Sequence, residues 1–204
     1  MQVNFTKNFL FATLILVFFL NVNGNITYAK EYSEDNLNST PQTEEQQSTP
    51  AAIINYDLAY PGVLPDHPLY KLKVLRDRIS LALISDPMKK IDFYLLQADK
   101  GILASAMLID KNKIDLAKQT ALKAEHNYTL LAQILYSQRK KPDADFFKKL
   151  KTASLKHQEV LDSFAKRVSK DDQKTFLQVI DFSKRNWETI EKYQKAKLFV
   201  LPNN

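Results

Sequence analysis

Three histidines and a few carboxylate pairs are the side chains of this sequence with the types and spacings that could run a reaction. His126 follows Glu125, and His157 stands two places before Glu159. A di-metal carboxylate centre in a helical bundle needs a Glu-x-x-His pair on each of two inward faces. Glu125–His126 and His157–Gln158–Glu159 do not have that spacing, so no metal site is expected. His67 lies between prolines in a loop, and His126 points away from the apolar face of its helix. His157 falls on an apolar helical face. That placement predicts a buried, hydrogen-bonded imidazole and a stability that varies with pH. The pairs Asp143/Asp145 and Asp171/Asp172 sit at helix starts, where carboxylates complement the helix dipole. No G-x-S-x-G, H-E-x-x-H, phosphate-cradling glycine loop or dinucleotide fingerprint occurs. The 204 residues contain no cysteine. Thiol nucleophiles, thiolate metal sites, iron–sulfur clusters and disulfides are excluded with it. The expectation is a non-enzymatic chain with no catalytic residues, no cofactor and no metal.

The candidate binding residues are basic. Lys148, Lys149, Lys151, Lys156 and Lys184 crowd what read as the fourth and fifth helices, and they form a candidate anion-binding face. The net charge of +6 conceals a split: residues 30–52 sum to −4 and residues 53–204 to +9. A basic surface outside a membrane meets anionic lipid, wall polymer or nucleic acid. Tyr136, Phe146, Phe147, Phe176, Phe182, Trp187 and Tyr193 are interleaved with lysines. Most of them fall on helical seams, however, so core packing is expected over base stacking. Nothing here specifies nucleic acid.

The elements that must hold these residues are helices. Only three glycines occur in the chain, too few for a turn-dense β fold. Five helices are expected: 68–85, 87–110, 114 to about 139, one from Asp143, and one opened by Ser169. Asp86-Pro87 is a strong helix start. The second helix repeats Met88, Ile91, Leu95, Ala98, Ile102, Ser105 and Ile109 on one face. The third repeats Ile114, Ala117, Ala121, Ala124, Tyr128, Leu131 and Leu135, a three-four alternation whose alanines invite close approach. The fourth seam reads Phe146, Leu150, Ala153, His157, Val160, Phe164 and Val168. The fifth reads Phe176, Ile180, Ser183, Trp187 and Ile190, with Trp187 in the core. Short connections make sequential helices antiparallel neighbours. The fold class is therefore all-α: an elongated up-and-down bundle with an N-terminal proline-rich strap.

The strap is residues 53–67, apolar yet interrupted by proline and therefore extended. It leads into Pro61, Gly62, Pro65, Asp66, Pro68 and Tyr70. Pro61-Gly62 reads as a turn, Asp66 as a cap for the first helix, and Pro68 as part of its first turn. Leu69, Leu72, Leu75 and Ile79 form the expected buried stripe of that helix, with Lys71, Lys73, Arg76 and Arg78 outward.

Upstream, residues 9–20 are an apolar run interrupted only by Thr13, followed by Thr27 and Ala29 at the small-residue positions of a cleavage site. This is the pattern of a secretory signal peptide over residues 1–29, too short for a membrane span of roughly 20 residues. The alternative is an uncleaved N-terminal anchor. Residues 30–52 read as a disordered acidic linker, and residues 53–204 as the helical domain.

The segment YPGVLPDHPLYKLKVLRDRI, residues 60–79, together with DPMKKIDFYLLQADKGILASAMLI after it, resembles a bacterial exported helical domain family of unknown function. Its members open on a PG-x-LPD-x-PLY-type motif. The resemblance implies an all-helical extracytoplasmic module and brings no activity and no catalytic residues. The functional expectation is a secreted or extracytoplasmic module that binds an unknown protein or polymer at the bacterial cell envelope. The alternative is a basic binder of anionic lipid, wall polymer or nucleic acid.

Overall fold

The computed structural model describes residues 54–139 and 141–196. Residues 1–53, which take in the expected signal peptide and the expected acidic linker, lie outside the described residues, as do Lys140 and the C-terminal KLFVLPNN from residue 197. Five helices follow one another: α1 (Tyr70–Leu83), α2 (Pro87–Asp110), α3 (Ile114–Ser137), α4 (Ala144–Ala165) and α5 (Lys170–Ala196). Among the described residues there is no strand.

Local chemistry sets the ends. The Asp86 carboxylate accepts the Met88 N–H at 2.8 Å, and Pro87 begins α2. Asp143 caps α4 by accepting the Phe146 N–H at 2.8 Å. Asn112 turns the chain between α2 and α3 with φ +55°, a conformation asparagine tolerates better than most residues. At the start of α5 the Ser169 hydroxyl accepts the Asp172 N–H and donates to the Asp172 carboxylate.

Helices α2 to α5 run up, down, up and down, but not with every sequential pair side by side. α3 packs on α2 and α5, while α4 packs on α5 and α2. Round the bundle the order is α2, α3, α5, α4. The expectation that all sequential helices are neighbours fails at α3 and α4, which stand across the diagonal of the bundle from each other. Tyr128 still spans the diagonal, donating its hydroxyl to the Leu150 carbonyl at 2.6 Å.

The core has two halves. One gathers Ile91, Leu95, Tyr128, Leu131, Leu135, Phe147, Leu150 and Ile190. The other gathers Ile102, Leu108, Ala121, Leu161, Phe164, Phe176 and Val179. The alanine seam of α3 does bring α2 close. A Cβ on Gly101 would lie 2.6 Å from the Ala124 Cβ, so glycine is required at this crossing.

Three burial expectations change. On α4 the inward residues are Phe147 and Leu161, and Phe146 and Val160 are partly buried at the edge. On α5, Asn186 occupies the buried position and Trp187 is half-buried at the margin of the core. On α1 the stripe is reversed: Leu69, Leu72, Leu75, Ile79 and Leu83 are 44–72% exposed, and no residue of the helix is fully buried. The four long helices already close the core between themselves. α1 lies outside them, and the surface beneath it carries Gln97, Lys100, Lys123 and Asn127. It turns Tyr70, Val74, Asp77 and Leu81 inward instead.

Replacing Gly101 with Ala must push α2 and α3 apart or distort them. Over-packing of this kind costs about 1–3 kcal/mol. The expected outcome is a lower urea midpoint with unchanged helical circular dichroism. A neutral result would show that the crossing has room the structure does not display.

Candidate functional site

The two halves of the core are separated by a polar layer at one level of the bundle. Asp99 follows Ala98 on α2, Glu125 follows Ala124 on α3, His157 lies one turn beyond Ala153 on α4, and Asn186 lies one turn beyond Ser183 on α5. All five of Asp99, Glu125, His157, Ser183 and Asn186 are buried, His157 completely.

His157 holds the layer together. Its Nε2 is 2.8 Å from Asp99 Oδ1 and its Nδ1 is 2.9 Å from Glu125 Oε1. A carboxylate on each ring nitrogen calls for a proton on both, which makes the ring an imidazolium. Burial alone would push the imidazole down. The hydrogen bonds to Asp99 and Glu125, with their charges, outweigh it and hold the ring up at about 9. Tyr128 stands edge-on to the ring at a centroid distance of 5.8 Å.

The strap completes the layer. The Tyr56 hydroxyl donates to Asp99 Oδ2 at 2.7 Å. Burial first, and then the Asp99 charge, drive this phenol far above its ordinary range. Two residues earlier, the Ile54 N–H donates to Glu159 Oε2 at 3.1 Å. On the far side, the Asn186 amide donates to the Glu125 carbonyl and its oxygen accepts from Thr129. Among the described residues, Glu125 Oε2 is buried with no partner. The layer can pair charge, fix helix register and tie down the strap. The imidazole at its centre has no exposed surface.

The sequence-derived candidates fall elsewhere. Lys149 pairs with Asp92 at 3.1 Å and Lys156 with Glu159 at 3.0 Å. Lys151 stands 5.9 Å from the centroid of the Trp187 ring. Lys148 and Lys184 are exposed. The opening motif is brought together: Pro61 is buried, Gly62 takes φ +67°, and a cleft of about 330 Å³ is lined by Tyr60, Gly62, Leu64, Asp66, His67 and Met107. Asp66 does not cap α1. Leu69 takes the cap position, and its N–H donates to His67 Nδ1. Asp66 instead receives Lys113 at 2.9 Å and Lys111 at 3.1 Å, which tie the motif to the α2–α3 turn. Hydrogen bonds from those two lysines hold its carboxyl down at about 2.

A family model for a domain of unknown function, DUF5667, matches residues 62–171. That span is more than half of the chain and runs from Gly62 of the motif to the start of α5. The chain belongs to the DUF5667 family. Comparison with curated proteins and with solved structures returns no match. The DUF5667 span contains Asp99, Glu125 and His157, while Tyr56 and Asn186 reach the layer from outside it.

His157 was legible as a buried histidine, but its partners were missed. The usable signal is that a buried imidazole needs partners at its own level. The acids that directly follow the seam alanines Ala98 and Ala124 are placed to supply them.

Because the His157 pKa is raised on folding, its stabilisation is complete below about pH 6.5 and is lost as pH rises through about 9. We predict that the unfolding free energy, measured in urea, falls by roughly 3 kcal/mol across that window. His157→Gln removes this slope and, by leaving two carboxylates buried without a cation, costs about 3–5 kcal/mol at pH 6. An unchanged slope in the variant would mean that another group titrates.

Proposed function

We propose that this DUF5667 protein is an exported, non-enzymatic helical module that acts by binding a partner at the bacterial cell envelope. Export rests on the apolar run of residues 9–20 and the Thr27/Ala29 cleavage pattern. The bacterial assignment rests on the resemblance carried by the Pro61–Gly62, Pro65–Asp66–Pro68 opening. The observation that carries the binding role is α1: a helix that turns Leu72, Leu75, Ile79 and Leu83 to solvent while Tyr70, Val74, Asp77 and Leu81 face the bundle. Such a face is unfavourable in water unless something covers it.

A catalytic role has less support. The titratable groups gathered at close range, Asp99, Glu125 and His157, sit inside the core and are spent on one another. A protein or polymer is one class of partner. The second reading, an anionic surface, is favoured by the bases Lys71, Arg76 and Arg78 beside the bare stripe. A nucleic-acid partner gains little, because Phe146, Phe147, Phe176 and Tyr193 are packed in or against the core.

In the native host, exported material is expected to begin at Lys30 by amino-terminal sequencing. It should also cross-link to envelope components through a photoreactive group placed at Leu72. Cytoplasmic retention would overturn the export reading. Exported protein that cross-links to nothing through α1 would overturn the binding reading.

A further inference from the structure

α1 has the make-up of a helix that rests on a lipid surface. At 100° per residue, Leu72, Leu75, Ile79 and Leu83 share an arc of about 80°, and Leu69 stands at the cap just before them. All five are largely exposed, up to 72% at Leu83. Lys71 and Arg78 border one side of the arc, and Arg76 borders the other. The one acid of the helix, Asp77, faces the bundle and is held by Arg76 at 2.7 Å. Apolar residues on one face with bases at both margins match the headgroup–acyl boundary of an anionic bilayer. A protein groove would supply apolar surface but needs no ring of bases, and a wall polymer would use the bases but leave the leucines in water. Among the described residues no helix is long and apolar enough to cross a membrane. At 14 residues α1 is itself too short to span a bilayer, so its contact with one is peripheral.

We infer that α1 docks the domain on an anionic lipid bilayer, with its leucine stripe at the acyl boundary and Lys71 and Arg78 among the lipid phosphates. This rests on the reading of the chain as an exported envelope module. The second cleft, between α1, α2 and α3, lies behind this helix. It measures about 60 Å³ and is lined by Lys73, Lys100 and Lys123. Burial pushes the Lys73 and Lys100 ammonium groups down. Basic charge thus continues from the margin of the stripe to the body of the domain.

The absence of cysteine makes the test direct. In the full chain, Ile79→Cys carries an environment-sensitive dye. Leu177→Cys, on an equally exposed leucine of α5, is the control. Because the dye reports its own surroundings, anchoring through the apolar run of residues 9–20 does not mimic the signal. Vesicles of phosphatidylcholine with about one-third phosphatidylglycerol are expected to blue-shift the dye at position 79 and not at 177. Pure phosphatidylcholine should do so at least tenfold less effectively, as should 0.5 M salt. Each basic side chain near an anionic leaflet contributes roughly fivefold to partitioning. Lys71→Glu with Arg78→Glu should therefore abolish the shift and leave the helical signal intact. No shift at 79 on anionic vesicles overturns the inference. So does a shift that appears without lipid and grows with protein concentration, which would assign the stripe to a second copy of the chain. Cross-linking through Leu72 to an envelope protein, with no dye response to lipid, would overturn the inference while keeping the envelope-binding role.

Discussion

A buried imidazolium between two carboxylates is the interaction on which the rest of this structure depends. Taking three ionisable groups out of water is costly, and the cost is offset only if their partners arrive in the right geometry. Asp99 comes from α2, Glu125 from α3 and His157 from α4. A slip of one helical turn, about 5.4 Å, would leave one of these groups unpaired in the core. The apolar halves on either side are far more forgiving, because leucine against leucine packs in several registers. Register and diagonal order therefore depend on the polar layer, and the bulk of the stabilisation comes from the apolar halves.

The layer also explains the small residues around it. His157 must reach across the diagonal to Glu125 while Tyr128 passes it to the Leu150 carbonyl. That requires α2 and α3 to lie close. Gly101 against Ala124, together with Ala98, Ala121 and Ala153, supplies the room. The strap is recruited by the same chemistry. Tyr56 fills the remaining oxygen of Asp99, while Ile54, Tyr56 and Leu58 turn inward and Asn55 and Asp57 face solvent. An extended segment with little secondary structure of its own is thereby held on the bundle.

Much of the fold was legible in the sequence because periodicity reports burial directly. Ile91, Leu95, Ala98 and Ile102 on α2, and Ala117, Ala121, Ala124 and Tyr128 on α3, are all buried. Asp86 and Asp143 cap as their positions suggest. Where two apolar residues adjoin, periodicity could not choose between them, and Phe147 took the place expected of Phe146. α1 failed for a different reason. An amphipathic pattern says that a stripe is apolar, not what will cover it, and a closed bundle had no groove left for it. Asp99 and Glu125 were hidden because acids beside a seam read as solvated unless the neighbouring helices are superposed at the same level. The five lysines of α4 and α5 share sequence density, but two of them are spent on Asp92 and Glu159.

The protonation state of the His157 ring tests this account most directly, and nitrogen NMR of the imidazole reads it without perturbing the fold. The account predicts that at pH 7 both ring nitrogens carry protons, each protected from solvent exchange, and that they become inequivalent only as pH rises through about 9. A ring with one bare nitrogen at pH 7 would contradict it. The layer would then be an ordinary neutral hydrogen-bond chain, and the register of the bundle would have to be held by something else.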